Sequence, residues 1–340
     1  MSNNGVIFVS TDWISDLLIE ALDQSGLEII RGPAAKAPGM MVYDKADYAR
    51  LFGRADIIIA SPLAQINRAI LEAAPRLRSV MSPVIGVESI DVDAATELGI
   101  VVGHGATPEN FIGMAEATVM LIAALVLDLP AKQKLLRDNA PRPREMSARL
   151  VRGKTIGLIG LGRIALSTME RMQGWDVNFQ AYDPYVTQDQ APKGVTMVDL
   201  KTLLGTSDVV SVHVTVTDET RHMLGEAELR QMRPDAFLVN TARGAAIDEA
   251  ALYRVLRDGA IAGAALDVFE MEPLPADSPL RTLDNVILTP HMVGHTKDVM
   301  DSLPIAALEN VRRVLKSEPP LYTKNPEVLA RWRERLGTLN

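Results

Sequence analysis

Short runs of β-branched and aliphatic residues alternate with amphipathic, helix-like stretches along most of the chain, and this alternation constrains the fold more than any other feature. Strands that alternate with helices are typical of parallel sheets, because a parallel crossover needs a connection about as long as a helix. The first series has predicted strands at 5–10, 27–30, 55–60, 79–84 and 100–105, with a helix at 13–24; the second has strands at 155–160, 177–183, 208–214, 236–242, 262–269 and 285–291. We therefore predict an α/β protein with two doubly wound parallel sheets.

A long helical stretch at 110–138 separates the two series, and a Pro/Arg-rich connector, "NAPRPREM", follows it. Its most apolar part, "ATVMLIAALVL" from Ala117 to Leu127, is well short of the roughly 20 residues that a membrane-spanning helix needs. We expect a buried helix, packed either within the subunit or against a second subunit. A later amphipathic stretch, "LPIAALENVRRVLK", is expected to return to the first domain.

Length and charge narrow the class of protein. At 340 residues the chain exceeds what one hydrophobic core usually organises, so two domains are expected. The net charge of -8 and the lack of any Lys/Arg block argue against nucleic acid or an anionic membrane as the main partner. The chain has no cysteine, and its start, "MSNNGVIFVSTDW", lacks a signal-peptide pattern. Both features agree with a cytoplasmic location.

The second series opens with a glycine-rich turn, "TIGLIGLGRIA", between a predicted strand and a predicted helix. Gly160 allows a tight turn, Gly162 lets the backbone approach a pyrophosphate, and the small Ala165 allows close packing of helix and strand. The next strand ends in Asp183, 21 residues after Gly162, where a carboxylate can accept hydrogen bonds from ribose hydroxyls. The pattern predicts a dinucleotide site. NAD is favoured over NADP because "AYDPYVTQD" offers no basic residue for a 2'-phosphate.

Charged residues follow three later strands. Arg243 ends the fourth, Asp267 and Glu272 follow the fifth, and His291 ends the last. These residues should meet at one edge of the sheet, since ligands of open parallel sheets bind at the carboxyl ends of the strands. An arginine can bind a carboxylate, a histidine can transfer a proton, and a glutamate can orient the histidine. Taken singly, Arg243 could be a surface ion-pair partner, Glu272 a solvated loop residue and His291 a core ring.

Several stretches, in this order and spacing, resemble the NAD-dependent D-isomer-specific 2-hydroxyacid dehydrogenase family. They are "GLIGLGRIA", "VSVHVTVTDETRHML", "LVNTARGAAIDEAAL", "IAGAALDVFEMEPLP" and "NVILTPHMVGHT". The resemblance implies a Rossmann NAD-binding domain at 103–296, inserted into a flavodoxin-like substrate domain formed by 1–102 plus 297–340. It also implies a homodimer joined through linking helices at 109–140.

The same resemblance implies roles for individual residues. Arg243, Glu272 and His291 correspond to the catalytic residues, and Asp267 to the residue that holds the nicotinamide amide. Further cofactor contacts are implied at Arg163, Ile164, His213, Thr215, Thr241 and Gly294, beside Gly160, Gly162 and Asp183. Substrate binding is implied for Arg243, His291 and the backbone amides of Ile85 and Gly86.

The chain departs from the family pattern at three places. Ala165 replaces the third glycine of the turn, the substrate loop reads "VIGVES" at 84–89 instead of Gly-Val-Gly-x-Asp-Asn, and "APRPREM" lacks a tryptophan that many relatives carry. The identity of the substrate is therefore open. Glu272 stands where the formate branch of the family has glutamine, which argues against formate oxidation.

The implied reaction is hydride transfer between NAD(H) and C2 of a small D-2-hydroxy acid or 2-oxo acid, with a histidine as acid and base. The alternative is an NADH-sensing, corepressor-like module on the same fold. We expect no metal, because His104, His222 and His295 fit no ligand spacing and are interpreted as structural or surface residues. His295 lies close enough to His291 in sequence to touch the substrate.

Overall fold

The computed structural model describes residues 5–11, 13–23, 26–34, 41–105, 107–145 and 147–339. Its strands are β1 (Val6–Thr11), β2 (Glu28–Ala34), β3 (Ile57–Ile59), β4 (Ser79–Ser82), β5 (Val101–His104), β6 (Thr155–Ile159), β7 (Asn178–Tyr182), β8 (Val195–Met197), β9 (Val209–Val212), β10 (Phe237–Asn240), β11 (Gly263–Leu266) and β12 (Val286–Leu288). Its helices are α1 (Trp13–Asp23), α2 (Tyr48–Phe52), α3 (Arg68–Glu72), α4 (Val92–Glu97), α5 (Pro108–Val126), α6 (Leu129–Arg137), α7 (Arg163–Arg171), α8 (Leu200–Thr206), α9 (Glu226–Leu229), α10 (Glu249–Arg257), α11 (Lys297–Leu315) and α12 (Leu329–Leu339). Gln24, in the predicted first helix, lies outside the described residues.

The described residues form two compact units, and the first takes residues from both the N-terminal and the C-terminal part of the chain. This unit comprises Met1–Asn110 and Thr296–Asn340 and contains a parallel sheet in the order β2-β1-β3-β4-β5, which is the flavodoxin-like order. Leu303 and Val311 of α11 pack with Ile7 and Val9 of β1 in one core. The amphipathic C-terminal stretch therefore returns to the first unit, as its sequence pattern predicts.

The second unit, Phe111–His295, contains a seven-stranded parallel sheet in the order β12-β11-β10-β9-β6-β7-β8. Counted within the unit, this is the Rossmann order 3-2-1-4-5-6 extended by one strand. The predicted fold class is thus confirmed. The sequence predicted six strands here and missed β8, because three residues at the edge of a sheet leave too short a pattern to recognise.

The helix α10 illustrates how local sequence sets the boundaries of an element. Asp248 caps its start by accepting a hydrogen bond from the Ala251 N–H at 2.8 Å, and Gly259, with φ +64°, follows its end. Its apolar face, formed by Ala251, Leu252, Val255 and Leu256, is buried. This helix fixes the position of the segment that precedes it, which bears Arg243.

The predicted helical stretch at 110–138 consists of two helices, because Asp128 adopts a left-handed conformation with φ +54° between α5 and α6. Leu121, Ile122 and Leu125 of α5 pack in the core of the second unit. By length and composition α5 could cross a membrane, but half of its apolar window is buried inside the protein, as in the core helix of a globular domain.

Candidate active site

The glycine-rich turn joins β6 to α7 in three residues. Gly160 has φ +89°, and a Cβ on it would lie 3.0 Å from the carbonyl oxygen of His213. A side chain is therefore excluded there both by the backbone conformation and by the neighbouring strand. Ala165 is fully buried in the same core as Ile156 and Leu158 of β6, which explains the need for a small residue.

The space beside Gly162, on the outer side of this turn, contains no protein atoms nearby. A Cβ on Gly162 would meet nothing within 4 Å, and α7 begins at the next residue. The first backbone amides of a helix have no acceptor within the helix and attract anions. The turn therefore fits the pyrophosphate of NAD. Of the two further predicted contacts, Arg163 places its guanidinium 5.8 Å from the centre of the Phe111 ring, and Ile164 is partly buried.

Asp183 connects the glycine-rich turn to the end of β7. Its carboxylate accepts hydrogen bonds from the Leu161 N–H and from the Tyr185 N–H, both at 2.9 Å. Because an ionised carboxylate has about four lone-pair sites, two of these remain for ribose hydroxyls. Asp183 thus fixes the turn and can also bind the ribose.

His213 and Thr215 follow the neighbouring strand β9. The His213 N–H donates to the Ile159 carbonyl at 2.8 Å, and the His213 Nε2 lies 2.9 Å from the Ser211 Oγ. Burial lowers the pKa of His213 from 6.5 to about 4, so its ring is neutral at neutral pH. The carbonyl oxygen of Thr215 accepts a hydrogen bond from the Thr220 hydroxyl at 2.6 Å.

Thr241 and Gly294 both contact α5. The hydroxyl of buried Thr241 lies 3.1 Å from the Thr118 hydroxyl, and a Cβ on Gly294 would lie 2.0 Å from the Met114 sulfur. Packing against α5 therefore already explains why these positions hold a small polar residue and a glycine. Their roles in cofactor binding stay predictions.

The centre of the site is a histidine–glutamate pair. His291 Nδ1 lies 2.7 Å from Glu272 Oε2, while Glu272 Oε1 accepts a hydrogen bond from the Phe269 N–H at 3.0 Å. Burial acts to raise the pKa of Glu272, but the His291 hydrogen bond and charge, the Phe269 N–H and the charge of Arg243 together lower it. Glu272 is therefore ionised at neutral pH and can stabilise a protonated His291.

Asp267 holds the turn that carries His291, a support role that sequence reasoning missed. Asp267 is 1% exposed, and its Oδ1 accepts hydrogen bonds from the Thr289 hydroxyl at 2.7 Å and from the Met292 and Val293 N–H groups at 3.0 and 3.2 Å. His291 itself has φ +55°, a left-handed conformation that is uncommon for residues other than glycine. The carboxylate thus stabilises a backbone conformation that aims the imidazole. Its contact with the nicotinamide stays a prediction.

Asn240 holds Arg243 in a similar way and was also missed. Asn240 is 1% exposed; its Nδ2 donates to the Arg243 carbonyl at 2.9 Å and its Oδ1 accepts from the Ala242 N–H at 3.1 Å. The guanidinium of Arg243 donates to the Ala242 carbonyl at 2.6 Å. In the sequence "LVNTARG", an asparagine directly after an apolar predicted strand is the signal that could have indicated this role.

The structure brings Arg243, Glu272 and His291 together beyond the carboxyl ends of the neighbouring strands β10, β11 and β12. A guanidinium can bind a carboxylate, and an imidazole beside it can transfer protons. Together these groups can carry out acid–base chemistry on an organic acid. Ile85 and Gly86 follow β4 in the first unit, and their substrate role stays a prediction.

The remaining histidines take different positions. The imidazole of His222 pairs with Glu270 at 2.9 Å, and His104 stacks on Tyr322. His295 is partly buried near His291, and its pKa is lowered by burial and by the charge of His291. Among the described residues, no group of three or more His, Cys, Asp or Glu side chains could hold a metal ion.

Comparison with known proteins gives matches to one family. The family described as D-isomer specific 2-hydroxyacid dehydrogenase, NAD binding domain, matches residues 119–293. The chain is 40% identical to a glyoxylate reductase of Thermofilum pendens over 81% of its own length and 82% of that protein. It is 32% identical to a D-3-phosphoglycerate dehydrogenase of Archaeoglobus fulgidus over 89% of its own length, but spans only 58% of that longer protein.

Among solved structures, the D-lactate dehydrogenase of Aquifex aeolicus, complexed with NAD and lactic acid, matches with a TM-score of 0.78. The two proteins are 28% identical, and the match covers 92% of this chain and 96% of the other. The relatives named here are enzymes. None of them supports a corepressor-like module.

Proposed function

The chain belongs to the D-isomer specific 2-hydroxyacid dehydrogenase family, and we propose that Arg243, Glu272 and His291 are the residues that carry out its reaction. It is an NAD-dependent oxidoreductase that transfers a hydride between NAD(H) and C2 of a small 2-hydroxy acid or 2-oxo acid. The observation that carries the residue assignment is the 2.7 Å contact between His291 Nδ1 and Glu272 Oε2, beside Arg243.

The chemistry of reduction follows from these side chains. When bound, NADH supplies the hydride that C2 of the 2-oxo acid receives. Arg243 binds the carboxylate of the acid and polarises the neighbouring carbonyl, and protonated His291 donates its Nε2 proton to the carbonyl oxygen as that oxygen becomes a hydroxyl. Glu272, held ionised by its surroundings, stabilises the imidazolium before the transfer. In oxidation His291 accepts the same proton.

The cofactor and substrate contacts are part of the same proposal. Gly160, Gly162 and the first turn of α7 would hold the pyrophosphate, and Asp183 the ribose. The backbone amides of Ile85 and Gly86 would bind the substrate carboxylate. In support, neither amide has a hydrogen-bond partner within the part of the chain that the structure describes. The side chains of "VIGVES" would then influence which acid is accepted.

Turnover with a panel of acids tests the proposal. NADH and NADPH oxidation would be followed with glyoxylate, pyruvate, hydroxypyruvate, its 3-phosphate and bulkier 2-oxo acids. We expect turnover of at least one acid, with NADH preferred to NADPH. A protein that binds NADH in calorimetry but turns over none of these acids would contradict the proposal and favour the sensing alternative.

We further propose that the enzyme is a cytoplasmic homodimer. Exposed apolar side chains on and beside α5 and α6 support an interface there: Leu136 is 85% exposed, Met120 53% and Leu127 44%. Sedimentation equilibrium would show a species of twice the 37.0 kDa chain mass. A monomer at micromolar concentration would contradict the dimer, and cell fractionation would test the location.

A further inference from the structure

Three titratable residues outside the proposed catalytic set form a cluster: His222, Glu249 and Glu270. One carboxylate oxygen, Glu270 Oε1, lies 2.9 Å from His222 Nε2 and accepts a hydrogen bond from the Glu249 N–H at 3.0 Å. We call these three residues the carboxylate cluster.

The two glutamates of the carboxylate cluster bind each other's backbone. The Glu249 N–H donates to Glu270 Oε1, and the Glu270 N–H donates to Glu249 Oε2 at 3.2 Å. Glu249 is the first residue of α10, so Glu270 accepts from an amide that has no acceptor within the helix. Burial and the charge of Glu270 raise the pKa of Glu249, although the Glu270 N–H acts against them. The reciprocal pair thus keeps two carboxylates close together despite their repulsion.

The chain segment 243–249, which contains Glu249, and the segment 269–272, which contains Glu270, also touch through their backbones. A Cβ on Gly244 would lie 1.9 Å from the carbonyl carbon of Phe269 and 2.5 Å from the Glu270 nitrogen. The His222 N–H donates to the Ala245 carbonyl at 2.8 Å, so His222 contacts one segment through its backbone and the other through its ring. The segment 243–249 bears Arg243, and the segment 269–272 bears Glu272.

We propose that His222, Glu249 and Glu270 are positioning residues, which fix the segment of Arg243 against the segment of Glu272 and so set the spacing between the guanidinium and the Glu272–His291 pair. This inference rests on the proposed function of those three catalytic residues. Positioning explains the carboxylate cluster better than stabilisation of the fold does, because the expected effect on the reaction rate is larger than the expected effect on stability. The His222 and Glu270 side chains are 47% and 37% exposed, and ion pairs this exposed stabilise a fold very little. A displacement of about 1 Å in a reacting group, in contrast, can cost about 100-fold in rate.

The test compares Glu270→Ala with Glu270→Gln and with a control on α10, the helix that begins with Glu249. Arg257→Ala removes an exposed ion pair with Asp258 at the far end of α10 and touches neither segment. For each variant, kcat and KM for the best 2-oxo acid, the NADH Kd and the Tm would be measured. We expect Glu270→Ala to lower kcat on the order of 10-fold, with NADH Kd within about 2-fold of wild type. Glu270→Gln, which keeps an acceptor oxygen, should recover most of kcat, and Arg257→Ala should leave kcat unchanged.

Three results would overturn the proposal: unchanged kcat in Glu270→Ala, a loss equal to that of Arg257→Ala, or a fall in kcat matched by an equal loss of NADH affinity. If Glu270→Ala fails to fold, His222→Ala tests the same link at a half-exposed side chain, with an expected loss in kcat of about 3-fold and no loss contradicting the proposal. Wild-type turnover separates a failure of the proposed function from a failure of the positioning role. Its absence would contradict the proposed function itself, whereas an active wild type with an equally active Glu270→Ala would contradict the positioning role alone.

Discussion

The two halves of the seven-stranded sheet are organised by different means. On the side of β6 and β7, the glycine-rich turn owes its shape to backbone conformation, and Asp183 is the side chain that ties it to the next strand. On the side of β10, β11 and β12, buried side chains such as Asn240 and Asp267 hold the loops that bear Arg243 and His291. A phosphate site needs exposed amides, whereas proton transfer needs side chains held in place. The first is built from adjacent residues and the second from residues distant in sequence.

The largest effect on cofactor binding should come from Gly162→Val, which breaks the cofactor half and leaves the catalytic half intact. A valine side chain would occupy the open space that a pyrophosphate needs, and hydrogen bonds to charged groups contribute about 1.5–3 kcal/mol each. We expect NADH affinity, measured by calorimetry, to fall at least about 100-fold. The Tm should change little, because a Cβ there meets no protein atom within 4 Å. Retained NADH affinity would mean that the turn does not bind the cofactor.

Asp183→Ala should have the next largest effect on cofactor binding and would sharpen the role of the side chain that ties the glycine-rich turn to β7. Loss of a charged acceptor for the ribose should weaken NADH about 10- to 100-fold. NADPH should be affected less, because the carboxylate no longer repels a 2'-phosphate. The ratio of the two Kd values is the measurement. An unchanged ratio would mean that Asp183 does not discriminate between the two cofactors and only holds the turn through its hydrogen bonds to Leu161 and Tyr185.

Asn240→Ala should weaken the catalytic half without touching the cofactor half. It removes two partly buried hydrogen bonds around Arg243, and we expect kcat to fall about 10-fold while the NADH Kd stays within about 2-fold. Asn285→Ala is a matched control. Asn285 also makes two side-chain hydrogen bonds to the backbone, to the carbonyls of Leu256 and Ala262, but it lies at the amino end of β12, whereas Asn240 lies at the carboxyl end of β10. Both variants should lose stability. An equal loss of kcat in both would refute a specific role for Asn240.

The smallest effect that we predict is on the pH dependence of stability. It comes from His213, which follows β9, the strand between the two halves. The pKa of His213 is lowered in the folded state, so the unfolded chain binds more protons between pH 6.5 and about 4. The stability that the neutral ring contributes is therefore complete above pH 6.5 and is lost as the pH falls toward 4. Urea unfolding at pH 7 and pH 4.5 should show a smaller drop in stability for His213→Gln than for wild type. An equal drop in both proteins would show that His213 is not the group whose protonation lowers the stability.

The difference between the halves also explains what the sequence could predict. Gly160, Gly162, Ala165 and Asp183 lie within 24 residues, so their spacing alone predicts a phosphate turn, and the structure fits it. The order of charged strand ends predicted the meeting of Arg243, Glu272 and His291. Their support was not predictable in the same way, because Asp267 reaches its turn across 25 residues and Glu270 meets Glu249 across 21.

Other features escaped for physical reasons of their own. The edge strand β8 is too short for a periodic pattern. The helix break at Asp128 has one sequence signal that the prediction did not use, Pro130 in the first turn of α6. The role of Asn240 rests on its burial at the end of a strand, which only the packed structure reveals. Long-range contacts and buried polar groups are thus what the sequence alone left open.

The central claim is that proton transfer resides in the catalytic half and can be removed without disturbing the cofactor half. Parallel measurement of kcat and NADH Kd for His291→Asn tests it most directly. We predict a fall in kcat of about 100- to 10,000-fold, because general acid catalysis typically contributes that much, with NADH Kd within about 2-fold of wild type. Full activity in His291→Asn, or a loss of NADH affinity as large as the loss of kcat, would contradict it.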